Sequence, residues 1–460
     1  LTPGSSEFYN LTTATSSTDV TLQADITVTN DLTIASSTTL DAGSNRGITI
    51  GGNWANSGTF VDQQGTVTFN GGGAQTLTPG SSSFYNLSTA TSSTDVTIQD
   101  GLIVANDLTI ASSTTLDAGS NRAISVGGDW SNSGTFTSAS NTVTFNGTGA
   151  QSVTTGGVGT GNDFNNVTIT NTAVSPGDAA DVQTADAIKV AGTLDVTDGQ
   201  FMPATSSEFL DVTVSASGGI LKPASSSSIT VSGNWSDAGG TFTPNSGTVT
   251  MDGTSKTIAT GASNEFNNLT VSGTVSTSTT KDVEVEGTLT VSGSLTVSPG
   301  DELTLEDVTV SGTLTVDADG SNNATLDFSE ADNPVFGITG TLRLDGENSS
   351  NRAIVSGDGD SRIAFSVTSN GVFNSDYATI TYCDGNGVNI TGGGTQVISQ
   401  VTFDYPPNSG TLLKLNSATD LPTEITGCIF GTTTGLNGVS SPSNVTANGQ
   451  QGDLGAAVIE

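Results

Sequence analysis

Six aspartates in the second half of the chain have the type and spacing to do chemistry. Asp317 and Asp319 lie in "DADGSNN", Asp358 and Asp360 in "GDGDS" and Asp384 in "CDGNG", with Asp404 twenty residues further on. Oxygen donors alternating with glycine suit calcium, a hard cation that collects oxygen ligands. Asp317, Asp319, Asp358, Asp360 and Asp384 are therefore candidate ligands for a structural calcium ion, and no other cofactor is implied. None of the three loops supplies the closing bidentate acid of a full calcium loop, and solvated Asx-Gly turns account for the same residues. Two facing carboxylates could also cut a glycosidic bond, and Asp384 and Asp404 fall one coil apart in the register set out below. Yet each follows a strand, where Asp is a common turn former. The chain has no histidine and only 10 Lys plus Arg, which leaves little to tune a carboxyl pKa. The expectation is a protein without enzymatic activity.

The 45 acidic residues against 10 basic ones give a formal charge of −35. Residues 1–180 hold two cations, Arg46 and Arg122. No basic patch exists to meet phosphates, so nucleic acid is excluded as a partner. No run of 18 apolar residues occurs, so no transmembrane segment is expected. Aromatics make up 5% of the chain, so the core must be built from Val, Ile and Leu.

What must position these residues is a repeat. Residues 1–76 and 77–152 align without gaps and match at 56 of 76 positions. Apolar positions change conservatively (Leu22 to Ile98, Ile50 to Val126), whereas the stretch 61–65 changes wholesale at 137–141. "FYNL" at Phe8 and Phe84 returns as "FNNV" at Phe164 and "FNNL" at Phe266; "GNWANSGTF" around Trp54 returns around Trp130 and, altered, around Trp235. The local period is two. In "DVTLQADITVTNDLTI" apolar and polar residues alternate, and Gly, Asn, Asp and Ser punctuate every five to ten residues, the pattern of short strands. Val20, Leu22, Leu32, Ile34, Val67 and Phe69 should face inward with their mates Val96, Ile98, Leu108, Ile110, Val143 and Phe145; Thr21 and Thr33 should face out.

A tandem repeat of short strands favours an all-β fold, a parallel β-helix (β-solenoid), over a sandwich or barrel. At three strands per coil, each repeat should supply about three coils. The whole chain should make about 20 coils, an elongated rod on the order of 100 Å at about 4.8 Å per coil. The expected organisation is 1–152 as two near-identical repeats, 153–328 as degenerate repeats, and 329–460 as a C-terminal solenoid segment with irregular loops. Asn165-Asn166 and Asn267-Asn268 are candidates for amide ladders inside the bends.

Aligning Asp384 with Asp404 and Gly431 puts Cys383 level with Phe403 and Phe430, and Cys428 level with Thr381 and Val401. On that register the cysteines lie two coils apart in different slots, which favours free thiols over a disulfide. Each tryptophan recurs once per unit in an aromatic-poor chain, so it reads as a packing residue before a sugar-stacking one. Ten Asn-x-Ser/Thr sequons, from Asn10 to Asn444, carry little weight in so Asn- and Thr-rich a chain.

The phrases "NTVTFNGTGAQSVT", "FNNLTVSGT", "LTIASSTTLDAGSNR" and "GGNWANSGTF" resemble, in texture, the long repetitive surface proteins of bacteria, the filamentous-haemagglutinin-like and autotransporter-like β-solenoids. The resemblance covers roughly residues 1–320. It implies an extracellular or cell-surface structural protein: a fibre, filament, sheath or adhesin stalk. The alternatives are a carbohydrate-binding or carbohydrate-active β-helix and a phage tail-fibre rod. Expected partners are further copies of the chain, and a polysaccharide or cell surface. Leu1 enters mid-strand, and "LGAAVIE" (454–460) has strand character. This implies either more repeats upstream or head-to-tail assembly through an uncapped edge.

Overall fold

The computed structural model describes all residues except 5, 14–18, 91–93, 174–180, 262–263, 279–281, 392–393, 395, 406–412, 416–423, 431–444 and 448–460. The tail 454–460 and Gly431 therefore lie outside the described residues. Those that are described form strands, turns and bends, with no helix. The strands pair in parallel, as stacked coils of a β-solenoid, about 18 turns in all. The chain divides into two compact units, Leu1–Ile229 with Gly239–Phe242, and Thr230–Ala238 with Thr243–Glu460.

Through the two copies of the repeat the strands pair with the third segment after them, whereas further on the long strands Lys189–Met202 and Ser207–Leu221 pair directly with each other. One inward column runs Leu11, Leu32, Trp54, Leu77, Ile98. A second runs Ile26, Ile48, Val67, Leu87, Leu108, Trp130, Val153. Their steps are one coil each. Leu87 is the repeat mate of Leu11, and Leu108 of Leu32, yet the mates stand in different columns. From the strand Leu11–Thr12 up to its mate Asn86–Thr89 the described residues form ten strands, counting the first, and the bridge at Phe84. Eleven segments at three per coil make three and two-thirds coils. The repeat thus exceeds the three or so coils expected and is not a whole number of them, so each copy is carried round by a third of a turn.

Alternation decides what is buried. Leu22, Leu32, Ile34, Val67, Phe69 and all six mates are at most 2% exposed, while Thr21 is exposed and Thr33 lies on the outer side of its strand. Val20 departs from the expectation and is only half-buried. It pairs with Leu40, whereas its mate Val96 lies between Gln75 and Leu116.

The recurring phrases travel together because they touch. Trp54 meets Phe60 and Phe84 edge-on at centroid distances of 4.9 and 5.1 Å, and Trp130 meets Phe136 and Phe164 at 4.9 and 5.1 Å. The Asn of "F-x-N" caps the coil above it. Asn86 Oδ1 accepts from the Asp107 N–H at 3.1 Å and from Asn106 Nδ2 at 2.8 Å; Asn10 does the same for Asp31 and Asn30. Asn166 and Asn268 accept from the backbone of Thr193 and Thr288. Amide-to-amide bonds between coils thus form at Asn10 and Asn86. At the expected ladder sites, Asn166 and Asn268 instead donate to their sequence neighbours Asn165 and Asn267.

In the second unit the three inward columns include Val249, Leu269, Leu289, Val308, Phe336, Phe365; Val275, Leu295, Leu314, Leu342, Phe373; and Leu303, Leu326, Val355, Ile380, Phe403. One corner is a column of glycines at 253, 273, 293, 312 and 340. A Cβ on Gly273, Gly293, Gly312 or Gly340 would sit 2.0–2.2 Å from the carbonyl oxygen of the glycine one coil earlier. The Ser-Gly steps of the sequence exist because the coil turns there with no room for a side chain.

Candidate functional site

The C-terminal coils carry most of the residues singled out for chemistry. Asp317 ends the strand Thr313–Asp317 and stacks in register with Asp345, which stacks with Asp376. Burial, and then the charge of Asp345, push the Asp317 carboxyl up. Arg343 lies two residues before Asp345 on the same face, and its Nη2 reaches Asp345 Oδ2 at 2.5 Å. Arg343, Asp345, Asn374, Ser375, Asp376 and Val397 line a groove of about 330 Å³. Asn374 Oδ1 is buried in its wall without a hydrogen-bond partner.

Asp319, Asp358 and Asp384 are turn formers. Asp319 Oδ1 accepts from the N–H groups of Ser321 and Asn322, both at 2.7 Å. Asp358 Oδ1 accepts from the N–H groups of Asp360 and Ser361 at 2.8 and 2.6 Å. These bonds hold both carboxyls below the usual range, because they favour the charged form. Asp384 takes the backbone N–H and the side-chain amide of Asn386. Among the described residues, no group of three or more Asp, Glu, Cys or His converges where a metal ion could sit.

The expected register between Asp384 and Asp404 is corrected. Asp404 pairs with Thr381, and Phe403 with Ile380, so the carboxylates are offset by three residues instead of facing each other. Cys383 is level with Ile363, not with Phe403. Phe403 does pair with Phe430. The step Thr379 to Thr402 to Ile429 makes Cys428 level with Val401, as expected, and with Ala378 instead of Thr381. Both cysteines are buried free thiols.

That offset leaves room at the corner for a column the sequence reading missed. Arg362, Tyr382 and Tyr405 follow one another, one per coil. The Arg362 guanidinium carbon lies 5.8 Å from the Tyr382 ring centroid. The rings of Tyr382 and Tyr405 stack at 4.6 Å with their planes 2° apart. Arg362 Nη1 donates to the carbonyls of Cys383 and Tyr405 at 3.2 and 2.9 Å. One coil face away, Arg352 donates to the carbonyls of Ala378 and Gln400 at 2.5 and 2.6 Å and to the hydroxyls of Thr379 and Thr402. Two of the chain's few cations are thus spent fastening successive coils.

A second missed feature is the inward glutamine. Gln151 Oε1 accepts from the Gly147 N–H at 2.9 Å, and its Nε2 donates to the carbonyls of Val126 and Gly128 at 3.0 and 2.6 Å. Gln75 makes the same bonds to Gly71, Ile50 and Gly52. The signal was present: a Gln at an apolar register position of a strand, in both copies. The tryptophans are interior. Trp54, Trp130 and Trp235 are at most 1% exposed, so their rings pack in the core and none is open to stack on a sugar.

No family model, no curated protein and no solved structure matches the chain.

Proposed function

We propose that the chain is an exported structural solenoid, a stalk or spacer of the surface-fibre kind, without enzymatic activity. The observation that carries this reading is the third-of-a-turn displacement between repeats. A repeat that multiplied one recognition surface would keep equivalent residues on one face. Here Leu32 and Leu108, and with them the outward residues Thr33 and Thr109 of their strands, stand on different faces. What the copies hold in common is the apolar interior and the caps, while the stretch 61–65 differs at all five positions. Such selection suits a unit valued for extending a stack of coils. The test exposes the purified chain to a polysaccharide panel. No release of reducing ends and no saturable retention on any glycan is the expected result; turnover would overturn it.

The groove at Arg343, Asp345, Asn374 and Asp376 favours a second reading, a carbohydrate-binding solenoid, since it offers a cation, carboxylates and an unpaired amide oxygen in one place. Saturable binding of a neutral glycan that is lost in Arg343→Ala would decide for it.

A further inference from the structure

Tyr382 and Tyr405 sit where two ladder positions meet. Thr381 pairs with Asp404, and the Tyr382 N–H donates to the Asp404 carbonyl at 3.3 Å. The next residues along, the two tyrosines, are therefore level with each other and one coil apart. Both have left-handed backbones, each with φ near 55°, a conformation uncommon for a bulky residue. It turns both side chains out of the strand at the same corner. The result is the parallel ring stack at 4.6 Å, within the range for offset aromatic pairs. Arg362 holds the column from below, over the Tyr382 ring and on the Tyr405 carbonyl. Tyr405 is 40% exposed, so a small oxidant or the edge of an oxidising enzyme's haem can reach it.

We propose that Tyr382 and Tyr405 are a site of oxidative cross-linking, forming a dityrosine that staples two adjacent coils. The co-reactant is a peroxide, used by a haem peroxidase. Each phenol gives up one electron and one proton. The two phenoxyl radicals couple through the ring carbons ortho to oxygen, forming one C–C bond. The two ring protons displaced there move to the oxygens and restore both phenols. The peroxide O–O bond breaks, and the two electrons and two protons leave with it as two waters. The rings must slide and splay to bond, a motion that the exposed Tyr405 edge permits. Tyr9 and Tyr85 have no such relation. They are repeat mates, carried apart by the turn of the repeat. A bond between positions 382 and 405 closes a loop across one coil step and so restricts the unfolded chain there.

The experiment treats the full chain with a haem peroxidase and hydrogen peroxide at low protein concentration. It reads dityrosine fluorescence and the masses of proteolytic peptides. The expected result is a monomeric product with a linked peptide pair joining Tyr382 to Tyr405, lighter by two hydrogens. Tyr382→Phe and Tyr405→Phe keep the ring stack and should each abolish that pair. Tyr9→Phe and Tyr85→Phe should leave its yield unchanged. Circular dichroism of each variant checks that the fold is kept. The proposal is overturned if the wild-type chain gives no such pair while free tyrosine couples in the same reaction, or if the fluorescence survives intact in Tyr405→Phe.

Discussion

Leu108 stands in the column of Ile26, one face away from its own repeat mate Leu32. A sequence period of 76 residues and a structural period of three segments do not divide, and the chain resolves the mismatch by turning. All faces must then accept the same inward side chains. This explains why the core is so uniform: Leu, Ile and Val at nearly every inward position, with the Trp and Phe trios placed at the same point of each repeat and so at a different face each time.

Core truncation should be costly in every column. Leu108 is 1% exposed, between Leu87 and Trp130. Leu108→Ala should lower local stability by about 2–5 kcal/mol, the range for large-to-small changes in a packed interior. Val67→Asp should be worse, because it leaves an unpaired charge between Ile48 and Leu87. Long repeat arrays need not unfold in one step, so amide exchange of residues 48–130 is the measurement. Unchanged protection there would contradict the packing described.

Gly293→Ala should destabilise the second unit by about 1–3 kcal/mol or more, as overpacking does. The new Cβ would lie 2.1 Å from the Gly273 carbonyl oxygen, and backbone cannot swing aside as a side chain can. Gly320→Ala is the control. Nothing lies within 4 Å of its Cβ position, and its effect should stay within about 0.5 kcal/mol. Denaturant titration of the two variants compares them.

Strand alternation was legible in the sequence because it depends on neighbours two residues apart. Val67, Phe69 and their mates followed from it. The number of coils per repeat was not, because it depends on pairing between residues some twenty apart and on the short bridge at Phe84. The same weakness misplaced Asp404. Matching Asp384 to Asp404 assumes a coil step of about twenty residues, and the ladder there pairs Thr381 with Asp404, three residues before Asp384. The Asx turns at Asp319, Asp358 and Asp384 are legible in the sequence, since they are local. The Tyr382–Tyr405 stack was hidden by the register error itself.

Asp237 should make stability depend on pH. It is fully buried, accepts from Trp235 Nε1 at 2.9 Å and from the Gly261 N–H at 2.7 Å, and burial pushes its carboxyl up despite these bonds. A folded pKa above the unfolded one means that the native state holds the proton more tightly. Its contribution is then fully present below the ordinary aspartate range and is lost as pH rises through the raised value. Asp237→Asn should flatten this dependence, and in urea titrations at several pH values the wild-type minus variant difference should shift in that window. A difference that is constant with pH would exclude Asp237 as the cause.

The two thiols should be silent in the folded protein. Burial, and then the charge of Asp384, push Cys383 up to about 12; burial also raises Cys428, whose Sγ lies 3.8 Å from the Ile398 carbonyl oxygen. Thiolate is the reactive form, so at neutral pH a thiol reagent should label neither. In denaturant without reductant it should label two per chain. Labelling of fewer than two would reveal a disulfide that the structure does not contain.

Deletion of residues 77–152 tests the turning repeat directly. The deletion joins Thr76 to Val153. In the native chain Leu77 lies on Trp54, and Val153 lies on Trp130, the repeat mate of Trp54. After the deletion Val153 would lie on Trp54, in the surroundings it already has. The strand Ala74–Thr78 would read Ala-Gln-Thr-Val-Thr, with Gln75 still placed to bond Gly71, Ile50 and Gly52. Three and two-thirds coils vanish, so every coil after the junction should rise about 18 Å less, at about 4.8 Å per coil, and turn by a third relative to those before it. No packed contact is lost at the seam. The expected outcome is a chain whose circular dichroism is unchanged in shape, whose melting midpoint stays within a few degrees, and whose amides at 153–170 keep their protection. A repeat that had to present one fixed face, or that made a whole number of coils, would not predict that rotation. A structure of the deleted protein in which Val153 lies above Ile26 in place of Trp54 would show the column assignment to be wrong.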